Sequence, residues 1–121
     1  MPLDVVIRHP NERIAVAELH GRMTHGTPMH SVEAQIRALA LEKPGGTLIV
    51  DLTHVEYADS AGLGLLVFLN GALKDAGGSL RIAGANNRLL EIFEITQTDT
   101  LLTLDPDLES SLSHAGAQIS H

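Results

Sequence analysis

Residues 47–52 read Thr47-Leu48-Ile49-Val50-Asp51-Leu52, an almost continuously apolar stretch. A run of this kind predicts a central strand that is covered on both faces, as the strands of parallel sheets are. Directly before it, Pro44-Gly45-Gly46 is a signal that ends a helix. The middle of the chain therefore indicates an α/β protein built on a buried central strand.

Two further strands are predicted before that point. Apolar and polar residues alternate over 3–7 and again over 14–20, which is typical of half-buried strands. A turn over 9–12 separates the two runs, so the second strand should return antiparallel to the first. We expect Gly21 to end this second strand.

Four helices are predicted from apolar spacing and from capping residues. Thr27 and Pro28 suit the start of the first, and the second should run over 60–76. Asn86 or Asn87 should cap the third, and Asp105 the fourth. Each helix therefore has a start signal of its own.

Leu80 and Ile82 indicate a fourth strand, and residues 101–104 a short fifth. The resulting order is β-β-α-β-α-β-α-β-α, in which alternating strands and helices imply parallel pairing through right-handed crossovers. We expect a mixed sheet of four or five strands with helices packed on it. One α/β domain over 1–115 and a loose tail over 116–121 complete this prediction.

Composition excludes several classes of protein. The chain has 121 residues, a formal charge of −7 and no cysteine, which excludes disulfides and thiolate zinc sites. The aromatic residues are Tyr57, Phe68 and Phe93 alone, and no basic stripe forms. Nucleic-acid binding is therefore not expected, since it needs positive charge or stacking platforms.

Nothing in the sequence predicts insertion into a membrane. The longest apolar run spans 61–69, which is too short to cross a bilayer. The first residues, 1–5, lack the basic and apolar regions of a signal peptide. We therefore expect a cytoplasmic protein.

Residues 55–64 read Val-Glu-Tyr-Ala-Asp-Ser-Ala-Gly-Leu-Gly and join the central strand to the second helix. In α/β sheets, ligand sites collect where the carboxyl ends of strands meet helix starts. The free N–H groups of a helix start favour anions, phosphate above all. Gly62 and Gly64 would let a phosphate or another chain approach closely.

Several interpretations of this segment compete. In the simplest, Asp59 or Ser60 only caps the helix and the glycines permit tight packing. A nucleotide fingerprint would need a third glycine where Val67 stands. A hydrolase elbow around Ser60 would need a downstream base, and the only histidines there are His114 and His121, which we expect in or near the loose tail.

The seven histidines do not form a metal motif. His25 and His30 are five residues apart, whereas ligand pairs on a helix are usually three or four apart. No cysteine and no carboxylate at fixed spacing accompanies them. We therefore predict neither a metal site nor a cofactor, and we read the histidines as surface residues.

The element Asp59-Ser60-Ala61-Gly62-Leu63-Gly64 resembles the D-S-x-G-L-G signature of STAS domains, the family of bacterial anti-sigma factor antagonists. The resemblance extends at pattern level over 3–112. It includes the loop 21–24 after the second strand, the central strand and the glycine-rich end of the second helix.

The resemblance implies a regulatory protein and not an enzyme. In the family, an anti-sigma factor that is an ATP-using serine kinase phosphorylates the serine after the aspartate. The unphosphorylated protein binds that kinase and frees a sigma factor, and a phosphatase resets the switch. Carried over, Ser60 is the phosphate acceptor; the expected partner-binding residues are Thr24, Asp59, Ser60, Gly62, Leu63 and Gly64.

Two departures from the family pattern stand out. Thr24 occupies a position where many members carry aspartate, which makes it a second candidate phosphosite. Ala61 replaces a second serine, so Ser60 is the only hydroxyl of the signature. Other roles stay open at this point: a regulatory subunit of a membrane transporter, since STAS-type domains also serve there, or a module that binds a nucleotide or another small molecule.

Overall fold

The computed structural model describes residues 3–42 and 45–116, which form a five-stranded mixed sheet with helices on both faces. The strands lie across the sheet in chain order; the first two pair antiparallel and the others parallel. The elements are β1 (Asp4–Asn11), β2 (Ile14–Met23), α1 (Thr27–Glu42), β3 (Thr47–Ala58), α2 (Ser60–Asp75), β4 (Ser79–Ala83), α3 (Asn87–Ile95), β5 (Leu104–Asp105) and α4 (Leu108–His114). The predicted fold class and order are confirmed.

The larger core lies between one face of the sheet and helices α1, α2 and α3. Alternate residues of β2 and β3, such as Leu19 and Val50, supply its sheet side and are fully buried. The apolar stripe predicted for α1 faces this core, because spacings of three and four residues place side chains on one side of a helix. That stripe is Met29, Val32, Ile36 and Leu39.

The opposite face of the sheet carries a smaller core. Here α4 packs Leu108 and Leu112 against a cluster at the start of β2 and the middle of β3. The cluster consists of Ile14, Val16, Ile49 and Ala83. Further along β2 on this face, Glu18, His20 and Arg22 are at least partly exposed, so this part of the sheet stays open.

Two strands run further than the sequence predicts. β2 continues through Gly21, whose φ of 119° suits a residue without a Cβ, and ends at Met23. β3 continues past Leu52 to Ala58, because its second half still pairs with β2 after β4 has ended. Residues 55–58 of the predicted connecting segment 55–64 therefore belong to β3, and only Asp59 separates that strand from α2.

The last elements are shifted from the predicted positions. Residues 98–100 form a 3₁₀ turn, and β5 begins only at Leu104. Asp107, and not Asp105, caps α4, since its carboxylate accepts a hydrogen bond from the Ser110 N–H at 2.7 Å. Of the predicted loose tail, residues 117–121 lie outside the described residues, as does Pro44, the residue predicted to stop the first helix. The domain boundary at residue 115 stays a prediction.

Asp105 instead anchors α4 to the sheet. Its buried carboxylate accepts two hydrogen bonds from Arg81, at 2.8 and 3.1 Å. It also accepts one from the Ser111 hydroxyl at 2.6 Å and contacts Nδ1 of His114 at 2.9 Å. His114 is therefore a helix residue bound to the sheet, not part of a loose tail. The bonds from Arg81, with those from Ser111 and His114, lower the pKa of Asp105 to about 2 despite its burial.

None of the helices in the described part of the chain combines the length and apolar character that a membrane span requires.

We predict that Asp105→Asn destabilises the domain by about 2 kcal/mol at neutral pH, from the linkage between its lowered pKa and folding. A carboxylate with a lowered folded pKa contributes stability above its unfolded pKa and loses it as pH falls toward the folded value. The gap to the parent chain should therefore shrink as pH falls from 5 toward 2. Urea denaturation of both proteins at a series of pH values measures this difference in the free energy of unfolding. Asp99→Asn, which changes an exposed acid in the 3₁₀ turn, is the control, and a gap that does not change with pH would contradict the assignment.

Candidate functional site at the start of helix α2

The predicted signature lies at the carboxyl end of β3, where the chain turns from Ala58 through Asp59 into α2. The end of β2 lies beside it, since Met23 pairs with Ala58 in the sheet. Thr24 follows Met23 directly. The structure thus brings Thr24, Asp59 and Ser60 to one edge of the sheet, where the geometry of parallel strands leads one to expect a site.

The Asp59 side chain caps α2. One carboxylate oxygen accepts hydrogen bonds from the N–H groups of Ala61 at 2.9 Å and Gly62 at 3.3 Å. The other oxygen accepts from the His25 N–H at 3.0 Å, and the Asp59 N–H donates to the Met23 carbonyl at 3.1 Å. One residue therefore both starts the helix and ties it to the segment that follows β2.

These bonds keep Asp59 ionised. The His25 N–H is the largest cause that lowers the pKa of Asp59, and the N–H groups of Gly62 and Ala61 act in the same direction. A negative charge at this position also interacts favourably with the dipole of α2. Any group added at the start of the helix will therefore meet an existing negative charge.

Ser60 is the first residue of α2 and is exposed. Because Asp59 takes the capping role, the Ser60 hydroxyl is not needed for it. None of the residues that the structure describes forms a hydrogen bond with that hydroxyl. Of the two caps that the simplest interpretation of the sequence left open, the structure has Asp59, and Gly62 permits the tight packing that this interpretation expects.

The two glycines of the signature differ in their surroundings. A Cβ on Gly62 would lie 2.6 Å from the Met23 carbonyl oxygen and 2.9 Å from the Met23 Cβ, so only glycine lets α2 approach β2 this closely. A Cβ on Gly64 would meet nothing within 4 Å. Gly62 and Leu63 are buried, whereas Gly64 is exposed. At this edge, Ser60 and Gly64 are therefore accessible to a partner, whereas Gly62 and Leu63 lie beneath the surface.

Sequence reasoning missed one cluster of side chains that could hold a metal ion. Ligand atoms of Glu18, His20 and His54 lie within 4.8 Å of one another on the open part of the sheet. The Glu-x-His spacing in β2 was a usable signal, because alternate residues of a strand share a face. The contribution of His54 could not be seen, since it depends on the register between β2 and β3. His25 and His30, the pair considered from the sequence, meet edge to face with ring centroids 5.7 Å apart.

Comparison with known proteins identifies the family. The family model described as "Mlab, STAS domain" matches residues 8–103. The chain belongs to the STAS domain family. This confirms the resemblance found in the D-S-x-G-L-G element, which lies in the middle of the matched segment.

Named relatives of this STAS domain agree with the match. The anti-sigma-B factor antagonist of Bacillus subtilis (strain 168) is 30% identical over 76 residues, which is 63% of this chain and 70% of the relative. The structure of an anti-sigma factor antagonist from Mycobacterium paratuberculosis superposes with a TM-score of 0.79, at 20% identity and over 93% of each chain. The Bacillus cell fate determinant SpoIIAA, solved in its phosphorylated form, superposes with a TM-score of 0.66 at 17% identity, over 92% of this chain and 98% of that one.

We predict that Gly62→Ala lowers the free energy of unfolding by roughly 1–3 kcal/mol, because the new Cβ overlaps the backbone of Met23. Gly64→Ala is the matched control in the same turn of helix. It should raise the stability by up to about 1 kcal/mol, since alanine favours a helix where space is free. Denaturant titration of both variants checks this pair, and equal effects would mean that the close approach of α2 to β2 is not real.

Proposed function

We propose that this STAS domain is an anti-sigma factor antagonist controlled by phosphate on Ser60. Its unphosphorylated form binds an anti-sigma factor that is also a serine kinase, and the sigma factor is thereby freed. Phosphorylation of Ser60 ends this binding, and a phosphatase restores it. The domain acts by binding and supplies no catalysis of its own.

The observation that carries the proposal is the division of roles between Asp59 and Ser60. Asp59 caps α2, which leaves the Ser60 hydroxyl exposed and without a hydrogen-bond partner among the described residues. A hydroxyl that is exposed and free of internal hydrogen bonds is accessible to a kinase from solution. The name of the Bacillus subtilis relative supports a role in regulating a sigma factor over that of a transporter subunit or a nucleotide-binding module.

The phosphoryl transfer needs nothing from this chain except the acceptor. A bond forms between Ser60 Oγ and the γ-phosphorus of ATP, and the bond from that phosphorus to the ADP oxygen breaks. The hydroxyl proton leaves to a base of the kinase. Thr24 is a partly exposed hydroxyl residue at the same edge of the sheet, so we propose it as a second acceptor.

Electrostatics explain why phosphate should change binding more than it changes folding. It adds about −1.5 to −2 charges at neutral pH. The dipole of α2 favours this charge by roughly 0.3–1 kcal/mol. The ionised Asp59 opposes it by a comparable amount, so the two effects on the stability of the domain nearly cancel.

A bound partner is affected differently. The exposed residues Ser60 and Gly64 are one helical turn apart on the same side of α2, so a surface packed on one covers the other. Such a surface would have to bury the phosphate or withdraw from it. Burial of a charge that lacks a partner costs several kcal/mol.

We predict that phosphoserine at position 60 weakens binding to the cognate kinase roughly a hundredfold or more, since each 1.4 kcal/mol is about tenfold. Its melting temperature should stay nearly that of the unmodified protein. Ser60→Ala should bind the kinase but lose most phosphate incorporation, and any remainder should disappear with Thr24→Ala. Isothermal titration and phosphate incorporation from labelled ATP measure these effects. Equal affinity of the phosphorylated and unmodified proteins would show that Ser60 is not the switch.

A pair of uncharged variants serves as the control for where the partner sits. Gly64 and Gly71 are both exposed helical residues of α2 with nothing within 4 Å of an added Cβ. They are two turns apart, or about 10 Å along the axis. Gly64→Ala should weaken kinase binding and Gly71→Ala should not, although both should stabilise the helix. The reverse result would place the docking surface away from Ser60.

A further inference from the structure

The open part of the second sheet face carries a group of side chains that the proposed function does not use. Glu18 and His20 are alternate residues of β2, so both point to the face on which α4 packs further back. His54 comes from β3, the neighbouring strand. These three residues offer a carboxylate and two imidazoles at one place on a rigid sheet.

A β-bulge brings His54 to this face. Glu18 lies opposite Asp51 and His20 lies opposite His54, so three steps along β3 match two steps along β2. Without the extra residue, Thr53 would stand opposite His20 and His54 would point to the other side. Bulges commonly redirect a side chain in this way next to functional sites.

The three side chains are close enough for an ion to gather them, although they are not hydrogen-bonded to one another. The Nε2 atoms of His20 and His54 lie 3.6 and 3.8 Å from the two carboxylate oxygens of Glu18. Both distances are too long for hydrogen bonds. Two ligands of a tetrahedral zinc ion, each about 2.0–2.1 Å from the metal, are roughly 3.3 Å apart. The Glu18–histidine distances exceed that value by about 0.3 and 0.5 Å and run to different carboxylate oxygens, so the side chains would have to move closer together around an ion.

The two imidazoles are neighbours on the open sheet face. The rings of His20 and His54 stack with centroids 4.6 Å apart and planes 4° from parallel, and both Nε2 atoms face Glu18. Because a metal ion lies in the plane of each imidazole that binds it, one of these exposed rings would have to rotate out of the stack for both Nε2 atoms to reach the same ion. Arg8 holds the Glu18 carboxylate at 3.1 Å from outside, as groups around a metal site often position its ligands.

We propose that Glu18, His20 and His54 bind one divalent transition-metal ion of the zinc class across β2 and β3. Two histidines and a glutamate with a water in the fourth position form a known type of zinc site. His54 and His20 are exposed enough for an ion to enter from solvent. This inference depends on the geometry of the sheet and not on Ser60.

The test is a titration of tag-free, chelator-treated protein with Zn²⁺, followed by isothermal calorimetry. We expect one ion per chain and a binding constant at least roughly tenfold weaker in His54→Gln and in Glu18→Gln, because each removes a ligand. His54 is exposed, so its variant should fold normally. His9→Gln, at an exposed position on β1 outside the cluster, is the matched control and should leave binding unchanged.

Two results would overturn this inference. One is the absence of Zn²⁺ binding at micromolar concentration in the parent chain. The other is binding that His54→Gln and Glu18→Gln leave intact while His9→Gln weakens it, which would place the ion elsewhere. Because kinase binding is measured separately, a failure here would leave the proposal for Ser60 untouched.

Discussion

The Asp59 carboxylate connects the two segments on which the candidate site depends. One oxygen accepts hydrogen bonds from the Ala61 and Gly62 N–H groups at the start of α2. The other accepts a hydrogen bond from the His25 N–H, beyond the end of β2. The close approach that these bonds require leaves no room for a Cβ on Gly62. Because Asp59 and Gly62 hold the helix start from inside, Ser60 and Gly64 are left on the outside. The same few bonds thus build the fold at this edge and define the surface that a partner can reach.

Much of this arrangement could be predicted because the local signals agree with one another. The apolar run at 48–50 predicts the central strand, and the start of α2 at Ser60 follows from a sequence in which serine and aspartate precede helical spacing. The cap of α3 at Asn86 is equally local. The structure then decides between Asp59 and Ser60 as the cap of α2, which the sequence leaves open. The hydrogen bond that the Asp59 carboxylate accepts from the His25 N–H favours Asp59, and it joins residues that are distant in the sequence.

The sequence-based predictions fail where contacts between distant parts of the chain decide the structure. β3 extends to Ala58 because β2 is beside it, although its own residues 53–57 alternate only weakly. Asp105 looks like a helix cap in the sequence, but Arg81 and Ser111 recruit it into a buried cluster. The Glu18–His20–His54 group arises from a bulge that no local pattern reveals. Strand register and other long-range contacts, and not local propensity, decide the features that the sequence did not predict.

The sheet therefore presents two separate surfaces to solution: the edge at Ser60 and the open face at Glu18. The proposed function depends on the first of these surfaces. Its central claim is that Ser60 is modified in cells, and mass spectrometry of the protein isolated from its own cells tests this most directly. We predict a phosphopeptide that spans residues 59–64 with the phosphate localised on Ser60. Full coverage of this peptide without phosphate, under growth conditions in which the kinase is active, would contradict the claim.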